Sequence, residues 1–220
     1  MMASTFTGRR PRPIRHIDRY RKLAMKMNSP APCRGATSYH MQNPDLVFDQ
    51  MNLRSGHVFL DLGCGAGDYA LEASRIVGET GTVHVMDVQE RSPQMVSEEA
   101  ARRGLQNVHP HVGDMRAPLP LETASVDVCL IAQVLHVFEH RPACYVLIFR
   151  EIRRVLRQQS ILVVIECKKE DASFGPPLSA RVSPEDLILA ARTCGFQEPT
   201  QHDLGVSYLL RFPVDQEADR

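Results

Sequence analysis

The segment Val58-Phe-Leu-Asp-Leu-Gly-Cys-Gly-Ala-Gly-Asp68 constrains this chain more than any other. An apolar run reads as a strand closing on an acid, Asp61. Three glycines follow at alternate positions, Gly63, Gly65 and Gly67, and then a helical pattern begins. Strand, glycine turn and helix in that order form an element that cradles nucleotides. Glycine lets backbone approach a ligand closely because no Cβ intervenes. The acid narrows the ligand further, since a buried carboxylate needs a cationic or hydrogen-bonding partner. A pyrophosphate would be repelled by Asp61, whereas a ligand carrying ammonium and sulfonium groups would not. The dinucleotide fingerprint G-x-G-x-x-G also puts its third glycine one position later than Gly67, although a dinucleotide oxidoreductase stays open on this motif alone.

Beyond this element, strand and helix patterns alternate with short connections. Strands are predicted at 57–62, 82–87, 107–112, 126–132, 160–166 and 205–212, and helices at 67–77, 92–103, 141–157 and 184–194. Val126–Ile131 and Ile161–Ile165 are nearly continuous apolar runs, as a sheet covered on both faces requires. The order implies a doubly wound, parallel α/β sheet that binds ligands at the carboxyl ends of its strands. Upstream, Asn43-Pro44 supplies an N-cap and a first-turn proline for a helix that Arg54-Ser55-Gly56 ends.

The chain divides into a basic arm at 1–42, a domain at 43–212 and a tail at 213–220. Net charge is zero, but residues 9–27 hold eight Lys/Arg against the single acid Asp18, leaving the remainder at −7. Such asymmetry can steer anionic partners, so nucleic acid is a possible partner of the arm. The basic stretch 9–27 lacks aromatic interleaving beyond Tyr20, and the body is acidic. Residues 14–27 have the spacing of a cationic amphipathic helix. No apolar run is long enough for a transmembrane segment. Six cysteines without C-x-x-C spacing and no secretory leader point to a cytoplasmic protein, with a mitochondrial transit peptide as the alternative.

Further motifs follow the glycine turn in order. Asp87 ends the second strand in Val83-His-Val-Met-Asp87-Val88, where a carboxylate can accept hydrogen bonds from both ribose hydroxyls. Val112-Gly-Asp114-Met115 follows the third strand, and Gln133-Val-Leu-His136-Val-Phe138 the fourth. Glu151-Ile-Arg-Arg-Val-Leu-Arg157 precedes the fifth. Together these resemble the class I S-adenosylmethionine-dependent methyltransferases over roughly residues 43–212. The resemblance implies a Rossmann-like, mostly parallel seven-stranded sheet and S-adenosyl-L-methionine as cofactor. It implies a cofactor site of Asp61, Gly63, Cys64, Gly65, Gly67, Asp87, Val88, Asp114, Met115 and Gln133. Asp114 would lie by the adenine amino group, while Gln133 and His136 would face the methyl carbon, His136 being the candidate catalytic residue. Many relatives have a glycine turn before the fifth strand; Gln158-Gln159-Ser160 stands there instead, a departure expected to be conformational only.

Glu166-Cys-Lys-Lys-Glu170, then Phe174-Gly-Pro-Pro-Leu178 and Arg181, resembles the type 11 group near the ubiquinone/menaquinone biosynthesis C-methyltransferases. Lys168, Lys169 and Arg181 could bind an anionic, small-molecule acceptor there; a merely solvated loop is the other reading of the same residues. A macromolecule-directed enzyme or a non-catalytic S-adenosylmethionine-binding module using the arm is the alternative. Arsenite methylation would need thiol spacings that the cysteines do not match. No metal site is expected, because His109 and His111 lack partners at ligand spacing.

Overall fold

A computed structural model describes residues 38–138, 141–170 and 175–214. The arm at 9–27, the helix expected at 14–27, Cys33, Phe174 and the tail from 215 lie outside the described residues. Seven strands form one sheet in the order β3-β2-β1-β4-β5-β7-β6. They are β1 (Val58–Leu62), β2 (Thr82–Asp87), β3 (Val108–Val112), β4 (Val126–Ala132), β5 (Leu156–Cys167), β6 (Thr200–Asp203) and β7 (Ser207–Pro213). The first five pair in parallel, while β7 pairs antiparallel with both β5 and β6. Chain order reverses at β1, which pairs with β2 on one side and β4 on the other. A crevice at such a reversal is where open α/β sheets take their ligands.

Five helices cover the sheet: α1 (Pro44–Met51), α2 (Asp68–Val77), α3 (Arg91–Arg102), α4 (Arg141–Val155) and α5 (Pro184–Thr193). Alternate strand residues feed two apolar layers, as a period of two demands. Phe59, Val83, Val85, Leu130 and Val163 pack with Val47, Tyr69, Ala73 and Val96 from α1, α2 and α3. Leu60, Leu62, Cys129, Ile131 and Leu162 pack with Tyr145, Ile148, Phe149 and Ile152 of α4 and Leu187 of α5. Burying each such large apolar side chain is worth about 1.5–3 kcal/mol, so both layers hold the strand ends rigidly. Asn43 caps α1, its Oδ1 accepting from the Asp45 amide at 3.1 Å. Ser183 caps α5, accepting from the Asp186 amide at 3.3 Å.

Three boundaries differ from the sequence-based expectation. Thr200–Asp203 was not foreseen as a strand: it is polar and mostly exposed at the sheet edge, so it carries no apolar signal. β5 begins at Leu156 rather than 160, with a register irregularity against β4. Gln159 takes φ +61° there, the left-handed conformation a glycine would adopt freely. Finally, Gln42 is buried and hydrogen-bonded to Ser207 and Tyr69, and Val214 is buried in the core, so the packed body extends past 43–212 at both ends.

Candidate active site

The chain leaves β1 through three glycines with positive φ, +83° at Gly63, +50° at Gly65 and +82° at Gly67. The Gly63 and Cys64 amides donate to the Met86 carbonyl at 2.7 and 3.1 Å, tying the turn to the neighbouring strand. The three glycines serve different ends. A Cβ on Gly63 would stand 2.4 Å from Val134 Cγ2, and one on Gly67 2.4 Å from Val96 Cγ2. These two permit close packing. A Cβ on Gly65 would meet nothing within 4 Å, so this backbone borders open space where a ligand can approach. A cleft of about 200 Å³ opens there, lined by Tyr39, Asp61, the Gly63–Tyr69 turn and Ala132–Val134. It lies between the β1 and β4 ends, at the reversal of strand order.

Asp61 is only 3% exposed and forms no ion pair among the described residues. Burial, then the charges of Asp87 and Asp68, push its carboxyl up to about 7. A cationic group in the cleft would relieve this cost, which fits the ammonium and sulfonium of S-adenosylmethionine. The Cys64 thiol is pushed far up by burial and neighbouring carboxylates, so it acts as packing rather than as a nucleophile.

Asp87 ends β2 with Oδ2 accepting from the Gly65 amide at 3.1 Å and Oδ1 from the Gln89 amide at 2.9 Å. Each oxygen keeps a second lone pair for a ribose hydroxyl. Val88 and Val112 beside it are 54% and 52% exposed, unusual for β-branched apolar residues and suited to a flat heterocycle. Val112 was not singled out from the sequence. At Asp114 burial alone would raise the carboxyl, but hydrogen bonds and charge from Arg116 outweigh it and hold the group low. Arg116, which also stacks on Phe138 at 5.3 Å, therefore already occupies much of Asp114. Met115 is buried in the core.

Gln133 requires a similar correction. Its Nε2 donates to Ser207 Oγ at 3.0 Å and its Oε1 accepts from Cys167 Sγ at 3.1 Å, so both ends of the amide are engaged within the protein. Gln133, left-handed at φ +57°, lines the cleft. Strained backbone of this kind persists only where surrounding structure enforces it, commonly at functional sites. The polar chain continues through Ser207 and Gln42 to the Tyr69 hydroxyl, which donates to Gln42 at 2.9 Å. Tyr39 stacks edge-on against Tyr69 at 4.9 Å. These aromatic and amide residues were missed because their contacts join segments far apart in sequence.

His136 sits in a 3-10 turn just after the cleft-lining residues, Nδ1 lying 3.0 Å from Oε2 of the fully buried Glu166. The positive residues at the expected acceptor mouth are largely committed elsewhere. Lys168 pairs with Asp203 at 2.7 Å, and Lys169 is exposed. Arg181 is buried at 3% exposure, donating to the carbonyls of Pro176 at 3.0 Å and Lys168 at 2.9 Å. Arg181 thus ties Lys168 to Pro176 through their carbonyls, contrary to the expectation that it binds an acceptor. His84, His109 and His111 share one face near the β2–β3 edge, yet no group of three metal-ligating side chains among the described residues could hold an ion. A larger hollow of about 770 Å³ lies at the amino ends of β2 and β3, between Ser74 and His109, away from the strand reversal.

Known proteins bear on this geometry. The methyltransferase domain family matches residues 53–197. Demethylmenaquinone methyltransferase of Staphylococcus aureus (strain MRSA252) is 32% identical over 120 residues, covering 54% of this chain and 47% of that protein. The chain thus spans about half the length of the curated relatives it matches. A SAM-dependent methyltransferase structure from Aquifex aeolicus superposes with a TM-score of 0.72 and 26% identity, over 90% of this chain and 98% of that one. The cyclase SpnF shares the fold, with a TM-score of 0.65 and 22% identity over 78% and 79% of the two chains. No described helix is long and apolar enough to cross a membrane. With its strand order and glycine cradle, the chain belongs to the methyltransferase domain family, the class I kind that takes S-adenosylmethionine as cofactor.

Proposed function

We propose that this protein transfers the methyl group of S-adenosylmethionine to a small-molecule acceptor. The carrying observation is the buried Asp61 carboxylate, without an ion-pair partner among the described residues, beside the open backbone of Gly65. In this reading Asp61, Gly63, Cys64, Gly65 and Gly67 surround the amino-acid end of the cofactor. Asp87 takes the ribose, Val88 and Val112 flank the adenine with Asp114 and Met115 at its far rim, and the Gln133 backbone borders the sulfonium. Alignment of donor and acceptor in such a cleft can contribute about 7–11 kcal/mol of the barrier.

For the acceptor, the relative named demethylmenaquinone methyltransferase favours a quinol ring. The test is direct: purified full-length protein is incubated with S-adenosylmethionine and 1,4-naphthohydroquinone, and products are resolved by mass spectrometry. A ring-methylated product supports the quinol reading. Cofactor binding without any such product would redirect the acceptor search, and no cofactor binding would end the proposal.

A further inference from the structure

Glu166 stands at the end of β5 with no exposed surface. A fully buried carboxylate is tolerated only where its oxygens are satisfied. Oε1 accepts from the Leu135 amide at 2.6 Å, and Oε2 meets His136 Nδ1 at 3.0 Å. The other titratable groups that feel its charge are Cys167 on β5 and Tyr208 on β7. Neither carries a positive charge, and the Tyr208 hydroxyl donates to the Val182 carbonyl at 3.0 Å. The imidazole is therefore the one ionisable side chain among the described residues that is hydrogen-bonded to Glu166.

The two hydrogen bonds fix a direction. A backbone amide can only donate, so Oε1 is held as an acceptor toward Leu135. An ionised carboxylate has only acceptors, so Oε2 requires the proton on Nδ1 of His136. The imidazole lone pair then falls on Nε2, which forms no hydrogen bond with any described residue and belongs to a side chain 19% exposed. The hydrogen bond at one ring nitrogen sets the state of the other. His136 follows Ala132–Val134, which line the cleft, by two residues.

We propose that Glu166 is a positioning residue that holds His136 as a general base, and that the acceptor is one that must lose a proton, such as an aromatic ring carbon or a phenol. The inference rests on the methyltransferase reading and deepens it. At the acceptor, a bond to the methyl carbon forms as the sulfonium–methyl bond breaks. The acceptor's proton passes to Nε2, the imidazolium is stabilised by the Glu166 charge, and the proton then leaves to water. No oxidant or reductant is needed. Acceptors that are nucleophilic without losing a proton, such as thioethers, would gain nothing from the pair.

The discriminating variant is Glu166→Gln. Glutamine has one acceptor oxygen and one amide NH₂. With Leu135 requiring the oxygen, the NH₂ lands on Nδ1 and drives the proton to Nε2. Long-range ¹H–¹⁵N spectra of the full chain at neutral pH read this tautomer without any acceptor. The expected result is an Nδ1–H ring in the native protein that becomes an Nε2–H ring in E166Q. An Nε2–H ring in the native protein, or an unchanged tautomer in folded E166Q, overturns the proposal. If E166Q does not fold, the native tautomer decides alone. Calorimetric titration with S-adenosylmethionine runs in parallel: absent binding with an Nδ1–H ring would fail the functional reading, whereas binding with an Nε2–H ring would fail only the base assignment.

Discussion

Adding one methyl group at each turn glycine separates packing from binding. Gly67→Ala forces φ +82° on an L residue and drives a Cβ to 2.4 Å from Val96. The left-handed conformation costs about 1–2 kcal/mol, and the overpacking about 1–3 kcal/mol more. Gly65→Ala meets no atom, so only the conformational cost applies, yet its methyl group would enter the cleft. Chemical denaturation should show Gly67→Ala markedly less stable than Gly65→Ala, with Gly65→Ala still losing cofactor affinity. Asp87→Ala removes charge-assisted acceptors and should weaken S-adenosylmethionine binding about 10- to 100-fold by titration calorimetry, equivalent to about 1.5–3 kcal/mol. Because Asp87 also holds the Gly65 and Gln89 amides, this variant should loosen the turn as well. Asp61 supplies a proton signature. Its carboxyl sits near 7, raised from 3.8, so the free protein at pH 6 carries it mostly protonated. A cationic ligand favours the carboxylate, so binding at pH 6 should release up to one proton, and affinity should rise with pH until it levels above about 8. Calorimetry in buffers of different ionisation enthalpy measures the release, and Asp61→Asn should abolish it.

At the scale of elements, the β2–β3 edge and the start of β5 carry their own expectations. His84 is lowered to about 4 by burial and by His111 and His109. A histidine depressed in the fold leaves stability intact above pH 6.5 and removes it as pH falls toward 4, because the unfolded chain takes up the proton first. Asp61 acts in the opposite direction, its contribution declining as pH rises from 3.8 through 7, so the comparison must be internal. The fall in melting temperature between pH 6.5 and 4 should shrink in His84→Gln relative to the native chain. At Gln159, replacing a left-handed glutamine by glycine relieves about 1–2 kcal/mol of strain against about 0.5–1 kcal/mol of added chain entropy. Gln159→Gly should therefore be neutral or up to about 1.5 kcal/mol more stable in denaturant unfolding. The same elements explain what the sequence disclosed. β1, β4 and the second half of β5 are buried apolar runs, and α1 and α5 carry cap and proline together, so periodicity and caps reveal them. β6 is a polar edge that takes its conformation from pairing with β7. The edge strand β3 interrupts its pattern with Pro110, which keeps that edge from pairing further.

For the whole molecule, strand order joins these pieces. Reversal at β1 brings the glycine turn and the β4 end to opposite sides of one cleft, although they are separated by half the domain in sequence. The acids at the strand ends were legible because each follows its strand directly. The His136–Glu166 pair, the Gln42–Ser207 contact and the Arg181 staple were not, since each depends on which strands become neighbours. Ligand that binds only the folded state should raise stability by about 2.7 kcal/mol at a hundredfold excess over its dissociation constant. The most direct test of the central claim is calorimetric titration of the full chain with S-adenosylmethionine at pH 6 and pH 8, native beside Asp61→Asn. The account predicts saturable one-site binding that strengthens with pH in the native chain and loses that dependence in the variant. Absence of saturable binding, or equal pH dependence in both proteins, would contradict it.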